Sequence, residues 1–131
     1  MSKAVFEKKD GITVIRKAAD RPFRILQLTD IHIGGGCISR KKDRMALDAV
    51  EKIVRASHAD LVVVTGDMVY PLFMYSGTSN NLKASKKFGA LMDSLGVPWT
   101  FTFGNHDEEC IAFYKKDRLA DYYMSLKSCL F

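Results

Sequence analysis

Apolar and polar positions along the chain divide it into short apolar runs and longer amphipathic segments. Residues 12–16 and 23–29 are rich in β-branched and aromatic side chains. The connection between them contains Pro22, which indicates a hairpin or two adjacent strands. Residues 61–65 and 97–104 are short and almost purely apolar, which is typical of strands covered on both faces in a parallel sheet.

Helical periodicity follows each of the last three predicted strands. After the glycines at 34–36, apolar side chains recur at helical spacing at Ala46, Ala49, Val50, Ile53 and Val54. A second apolar stripe comprises Phe88, Leu91, Met92 and Leu95, and Gly96 is a natural residue to end that helix. Residues 70–81 predict a loop, and residues 111–131 predict the last helix. Strands that alternate with helices in this way predict an α/β fold, a mostly parallel sheet with helical crossovers.

The amino-acid composition is consistent with this predicted fold and indicates a globular protein. A length of 131 residues suits one domain, and 47% hydrophobic with 27% charged residues is ordinary for a globular chain. The net charge of +5 would help to attract anionic substrates. Cys37, Cys110 and Cys129 are far apart and form no CxxC, so we expect free thiols in a reducing, cytoplasmic compartment. No apolar run resembles a signal peptide or a membrane span, so we expect no membrane partner.

Polar side chains able to bind metal ions follow three of the predicted strands. They are Asp30, His32, Asp67, Asn105, His106 and Asp107. Because the carboxyl ends of parallel strands meet at one edge of a sheet, we expect these side chains to lie close together. Oxygen and imidazole ligands without thiolates suit manganese, iron or zinc. The sequence therefore predicts a metal site at this edge.

The spacing of these residues gives each a local reason to face the site. In an extended backbone, residues two apart share a side, so Asp30 and His32 are expected to bind one ion together. Glycines precede Asp67 and Asn105 and allow the backbone to turn sharply toward the site. Asp67, as a single central carboxylate, is placed to bridge two ions.

Three short motifs resemble those of the calcineurin-like metallophosphoesterase superfamily: "DIH" at 30–32, "GD" at 66–67 and "GNHD" at 104–107. The resemblance covers about residues 23–109 and supplies the first three motifs of that family. It implies half of a four-layer αββα sandwich. It also implies that two metal ions catalyse the hydrolysis of phosphomonoesters or phosphodiesters. Nucleic acid would be a partner only as a substrate of that reaction.

The resemblance assigns the ligands of two divalent or trivalent ions. Asp30 and His32 would bind the first ion, Asp67 would bridge both ions, and Asn105 would bind the second. Two such ions, about 3.5–4 Å apart, activate the attacking water and clamp the phosphate oxygens. The two ions could be manganese, iron or zinc.

The same resemblance gives His106 and Asp107 catalytic rather than ligand roles. His106 would lie beside the substrate phosphate, where it stabilises the transition state or protonates the leaving oxygen. Asp107 would orient the His106 imidazole, as carboxylates do for histidines elsewhere.

Two later motifs of the family, a Gly-His and a Gly-His-x-His, have no match in the chain. The one remaining histidine, His58, lies at a predicted helix end and suits a structural role. Residues 1–131 are therefore expected to be a single partial domain, the N-terminal half of a metallophosphoesterase that is inactive as this chain alone. The missing C-terminal half, or a second chain, would be its partner.

Other interpretations stay open beside this one. Tyr70 follows Asp67 by three residues, a spacing that resembles the iron-binding tyrosine of purple acid phosphatases, although His32 departs from their pattern. Residues 81–107 are also similar to fungal and plant phosphoesterases named after those enzymes. The alternative function is a non-catalytic binding or assembly module that uses the half-fold as an interface. The glycines at 34–36 match no nucleotide-binding spacing, and the basic cluster at 40–42 is expected to be solvated surface.

Overall fold

The computed structural model describes residues 3–109 and 111–131, so the thiol expected at Cys110 lies outside the described residues. The described residues form five strands and four α-helices in succession. They are β1 Val5–Lys9, β2 Ile12–Arg16, β3 Ile25–Leu28, α1 Arg40–Ser57, β4 Leu61–Val64, α2 Phe73–Ser76, α3 Asn81–Leu95, β5 Trp99–Phe101 and α4 Lys116–Met124, with a 3₁₀ helix at His106–Glu108.

Strands β3, β4 and β5 form a parallel sheet in that order, which confirms the predicted α/β class. Ile25 pairs with Leu61 at the start of the sheet, and Val64 pairs with Phe101 near its end. All three strands therefore finish at the same edge, as the sequence predicted.

One face of the sheet packs against helices α1, α3 and α4. The buried residues of this core include Val54 of α1, Val62 and Val64 of β4, Phe88 and Met92 of α3, Trp99 of β5, and Leu119 and Tyr123 of α4. The helices begin and end largely where the pattern predicted. The Asn80 side chain accepts from the Lys83 N–H at 2.9 Å to start α3, and Gly96 ends it with φ of 65°.

The expected pairing of residues 12–16 with residues 23–29 was wrong. Strand β2 instead pairs antiparallel with β1, which the sequence analysis did not predict, and the two form a separate sheet. The physical cause is the Asp10-Gly11 turn, whose residues have φ of 51° and 76°. Positive φ at both central positions is what a two-residue hairpin requires, and Asp-Gly is a strong signal for it.

Two further segments differ from prediction. The loop at 70–81 contains the short helix α2. The last helix ends at Met124, because the residues beyond it pair with the edge of the sheet. The Trp99 N–H donates to the Ser128 carbonyl at 2.9 Å, and the Leu130 N–H donates to the Trp99 carbonyl at 2.8 Å. The N–H and the carbonyl of Trp99 on the free edge of β5 are thereby satisfied.

The sheet face opposite the helices is only partly covered in the described part of the chain. Ile25 is 60% exposed there, and a cavity of about 290 Å³ separates the β1–β2 hairpin from β4 and β5. Its lining includes Thr13, Ile15, Leu61 and Thr100. No helix of the described residues combines the length and apolar character needed to cross a bilayer.

Candidate metal centre

Backbone hydrogen bonds beyond the strand ends hold the first two corners of the site together. The Asp30 N–H donates to the Gly66 carbonyl at 3.2 Å, and the His32 N–H donates to the Asp67 carbonyl at 3.1 Å. The Ile33 N–H continues this pairing to Met68 at 3.0 Å. The corner after β3 is therefore fixed against the corner after β4 independently of any side chain.

Two carboxylates tie the third corner to the second. An Asp67 oxygen accepts from the His106 backbone N–H at 2.9 Å. The fully buried Asp107 accepts from three backbone N–H groups, those of Asp67 at 2.9 Å, Val69 at 3.1 Å and Gly104 at 2.8 Å. Three N–H donors stabilise a buried carboxylate, so Asp107 cross-links the corners after β4 and β5.

The structure brings together four of the predicted site residues. Ligand atoms of His32, Asp67 and His106 all lie within 4.8 Å of one another. His32 Nε2 lies 3.8 Å from an oxygen of Asp30 and 3.8 Å from an oxygen of Asp67.

These distances test whether the cluster suits a metal ion. The separations of 3.8 Å are too long for hydrogen bonds. Donors that share an ion at roughly 2.1 Å each lie about 3–4 Å apart, which matches the observed spacing. His32 Nε2 is also buried without a hydrogen-bond partner among the described residues. A buried ring nitrogen without a hydrogen-bond partner, beside two carboxylates, fits a cation site.

The local backbone that brings these ligands together is not the extended one expected. Asp30 and His32 both have φ of 55°, and Asp67 has φ of 52°. Left-handed backbone is uncommon outside glycine, and Asp, Asn and His tolerate it best. The ligands converge because these corners turn sharply, and the simple alternation of a strand does not explain their shared direction.

The glycines of the two later corners allow a close approach of backbone and carboxylate. A Cβ atom on Gly104 would lie 2.1 Å from an oxygen of Asp67, and one on Gly66 would lie 2.7 Å from the Gly104 nitrogen. Gly66 also has φ of 111°. Both positions therefore require glycine, in agreement with the sharp turns predicted from the sequence.

The partner of the His106 ring differs from the one the resemblance suggested. Nδ1 of His106 contacts a carboxylate oxygen of Glu109, whereas both oxygens of Asp107 accept backbone N–H groups. The Glu109 contact raises the pKa of His106 above its usual value. Burial raises the pKa of Asp107, and its three N–H donors oppose that shift. Sequence reasoning missed Glu109, for which the only signal was its place three residues after the histidine.

Two other candidates lie at the rim of the cluster. Asn105 is exposed and precedes the 3₁₀ helix that carries His106. The Tyr70 ring packs against both imidazoles, with centroid separations of 5.5 Å to His32 and 4.6 Å to His106. Tyr70 thus lies against the site, and its role as a metal ligand stays the alternative interpretation.

The glycine loop after His32 is held by a residue that the sequence analysis did not single out. The buried Asp43 of α1 accepts from the N–H groups of Gly34 and Gly35, both at 2.9 Å. It also accepts from the Ser39 hydroxyl at 3.1 Å. An internal carboxylate therefore occupies the N–H groups of two of the three glycines of this loop.

Comparison with known proteins shows which proteins this chain resembles in sequence. The chain is 29% identical over 110 residues to an Arabidopsis thaliana protein named probable inactive purple acid phosphatase 28, covering 72% of this chain and 26% of the relative. It is 27% identical over 131 residues to probable inactive purple acid phosphatase 14 of the same plant, covering 92% and 31%. Phosphatase DCR2 of Saccharomyces cerevisiae is 28% identical over 109 residues, covering 76% and 18%.

The chain thus spans between about a fifth and a third of the length of these relatives. The family model for calcineurin-like phosphoesterases matches residues 23–130. That match begins just before β3 and includes all three corners of the cluster. The motifs, the parallel sheet and this match agree that the chain belongs to the calcineurin-like phosphoesterase family.

Proposed function

We propose that the chain supplies the first half of a dinuclear metal centre that hydrolyses phosphoesters in a longer or assembled protein. The single observation that carries this proposal is the convergence of His32, Asp67 and His106 within 4.8 Å, at the shared edge of three parallel strands. The buried Nε2 of His32, which has no hydrogen-bond partner among the described residues, supports a cation at that point.

Each residue of the cluster has a proposed task. Asp30 and His32 would hold one ion, Asp67 would be shared with a second, and Asn105 would contribute to the second ion from the exposed rim. Bound cations would activate water and neutralise phosphate charge during in-line attack. Manganese, iron or zinc would suit these donors.

His106 is proposed to face the substrate and to deliver a proton to the leaving oxygen. Its contact with Glu109 holds the ring from the Nδ1 side. Asp107 supports this work indirectly, since it fixes the backbone of both neighbouring corners. We keep Asp107 as a predicted catalytic contributor through that positioning.

Metal binding tests the proposal directly. We expect calorimetry to show Mn²⁺ binding by the chain, and Asp67→Asn to weaken it at least tenfold, because an amide replaces the central charged ligand. The amide oxygen of the variant would still accept the His106 N–H, so the fold should survive. The matched control is Asp48→Asn, an exposed carboxylate on α1. Equal binding by wild type and Asp67→Asn would contradict the proposed centre.

Turnover is not expected from the chain alone. The later family motifs are absent from the 131 residues, and two relatives carry the word inactive in their names. We therefore expect no hydrolysis of nitrophenyl phosphate with saturating Mn²⁺. Robust turnover would show that the described ligands suffice and would contradict the proposed need for a second half.

A second candidate function is an assembly module in which the open sheet face binds a second copy of the chain. The observation that favours it is the 60% exposure of Ile25 on that face, beside the cavity under the hairpin. Sedimentation should then show a dimer that persists without metal, and Ile25→Lys should dissociate it. Met45→Lys, at an equally exposed position on α1, is the control. A monomer at high concentration would refute this candidate.

A further inference from the structure

A series of contacting aromatic rings connects the metal cluster to a lysine side chain. Tyr70 follows β4, Tyr75 lies in α2, and Lys42 lies in the first turn of α1. The Tyr70 ring centroid lies 4.6 Å from that of His106 and 5.0 Å from that of Tyr75. Lys42 Nζ lies 4.8 Å from the Tyr75 centroid. We call Tyr70, Tyr75 and Lys42 the aromatic wall, and it connects the cluster to a positive charge.

The charge on Lys42 is available to a ligand. Lys42 is exposed, and its ammonium forms no ion pair with the described carboxylates. Lys87, by contrast, pairs with Asp43 at 3.5 Å. A cation over an aromatic face at an exposed site is held only weakly, so Lys42 keeps most of its capacity to bind an anion.

The position of Lys42 distinguishes it from the other basic residues of the same turn. Arg40 and Lys41 are exposed and have no ring contact in the described structure. Among the described side chains of residues 40–42, only that of Lys42 contacts an aromatic ring, the ring of Tyr75. That ring packs on Tyr70, which in turn packs on His106. The ammonium of Lys42 is therefore placed to attract an anionic group of a substrate whose phosphoester lies at the metal cluster.

We propose that the aromatic wall is a specificity surface that receives a second phosphate group of the substrate. The preferred substrates would then be phosphoesters that carry a further phosphate several bonds away from the scissile one. This inference rests on the proposed function, since the wall selects substrates only if the cluster binds their first phosphate. Lys42 is its specificity-determining residue and makes no contact with the reacting atoms.

A matched ligand pair tests the wall. Hexyl phosphate and hexane-1,6-diol bisphosphate differ only in the second phosphate. With the Mn²⁺-loaded chain at low salt, we expect calorimetry to show about fivefold tighter binding of the bisphosphate, the size of one exposed charge interaction. The preference should shrink as salt is added, because an exposed pair is screened.

Variants separate Lys42 from general basic attraction. Lys42→Met keeps an aliphatic chain over the Tyr75 ring and should reduce the preference to the statistical factor of a ligand with two equivalent phosphates, whereas Lys42→Arg should retain the full preference. Lys41→Met is the control on the same helix turn and should leave the preference unchanged. An equal loss in Lys41→Met and Lys42→Met would overturn the proposal in favour of unspecific charge.

The failures of the two proposals can be told apart. If Mn²⁺ and hexyl phosphate bind as expected but the bisphosphate binds no tighter than its two equivalent phosphates require, the proposal of a specificity surface is wrong and the proposed metal centre is unaffected. If Mn²⁺ does not bind, or if hexyl phosphate binds equally without it, the metal centre is wrong and the wall falls with it. A fivefold preference that Lys42→Met alone abolishes would establish the surface.

Discussion

Asp107 is the residue whose surroundings best show how the site is held together. Its carboxylate is fully buried and accepts N–H groups from both sides of the cluster. Such a residue acts on the positions of ligands that lie on other strands. Its replacement should therefore disturb stability as well as metal binding.

We expect Asp107→Asn to lower the free energy of unfolding by about 2–4 kcal/mol, because the amide nitrogen would face backbone donors and leave them unpaired. Urea denaturation measures the change. Asp121→Asn on the exposed side of α4 should change it by less than about 0.5 kcal/mol. A loss no larger than that of the control would contradict the role assigned to Asp107.

Left-handed backbone at Asp30 leads to a second prediction at this scale. Asp30 is exposed, so its side chain adds little packing, while its φ of 55° disfavours residues with a Cβ atom. We expect Asp30→Gly to be more stable than Asp30→Ala by about 1 kcal/mol, the reverse of their order in a helix. Thermal denaturation of the two variants measures this difference. Equal stability would show that the backbone there is not strained.

Several site residues could be named from the sequence, but their contacts could not. The sequence shows directly that a residue able to bind metal follows a predicted strand. The contact of His106 with Glu109, by contrast, depends on the 3₁₀ turn that joins them. The three donors to Asp107 come from residues up to 40 positions away. Such partners follow from the folded path of the backbone.

At the level of elements, the β1–β2 hairpin is the unit most independent of the site. Its Asp10-Gly11 turn has positive φ at both residues, and a Cβ atom on Gly11 would meet nothing within 4 Å. The hairpin is nevertheless tied to the other end of the chain. Thr13 donates its hydroxyl to the Leu130 carbonyl at 2.9 Å, and Lys8 donates to the Phe131 carbonyl at 2.8 Å.

Gly11→Ala isolates the conformational cost of this turn. We expect it to lower the free energy of unfolding by about 1 kcal/mol through backbone strain alone, with Mn²⁺ binding unchanged. Gly11→Asn should cost less, because asparagine tolerates left-handed backbone. Chemical denaturation and calorimetry measure the two effects. Equal effects of alanine and asparagine would argue against strain as the cause.

The elements were predicted well where a single periodicity ran for several turns, as in α1 and α3. They were predicted poorly at the two ends of the chain. β1 alternates weakly and is mostly exposed, so it carries little hydrophobic signal. The segment after Met124 lacks strand character of its own and joins the sheet because β5 offers unpaired backbone groups.

For the whole molecule, one ion pair links the segment before β3 to the turn before β4. Asp60 binds the Arg21 guanidinium and accepts from the Arg24 N–H at 2.9 Å. The hydrogen bonds with Arg21 lower the pKa of Asp60 to about 2. An acid whose pKa is lower in the folded state stabilises the fold above its unfolded pKa, and that contribution is lost as pH falls toward the folded pKa.

We therefore expect wild type to exceed Asp60→Asn in stability by a constant margin above about pH 5, and this margin to shrink as pH falls from about 4 to 2. Denaturant titrations at several pH values measure the margin. The corresponding difference for Asp48→Asn, an exposed carboxylate, should vary much less over the same interval. A margin for Asp60 that grew on acidification would contradict the assigned direction.

By itself, the sequence determined the α/β class, the three strands that pair in parallel and the candidate site residues that follow them. These follow from local patterns, namely the spacing of apolar residues typical of strands and of helices, and the polar residues directly after strands. Only the tertiary structure decided how those residues meet. The left-handed corners at Asp30, His32 and Asp67, the cross-link through Asp107 and the wall from Tyr70 to Lys42 each join segments that are distant in the chain. Such contacts depend on packing and long-range hydrogen bonds, which no short stretch of residues encodes.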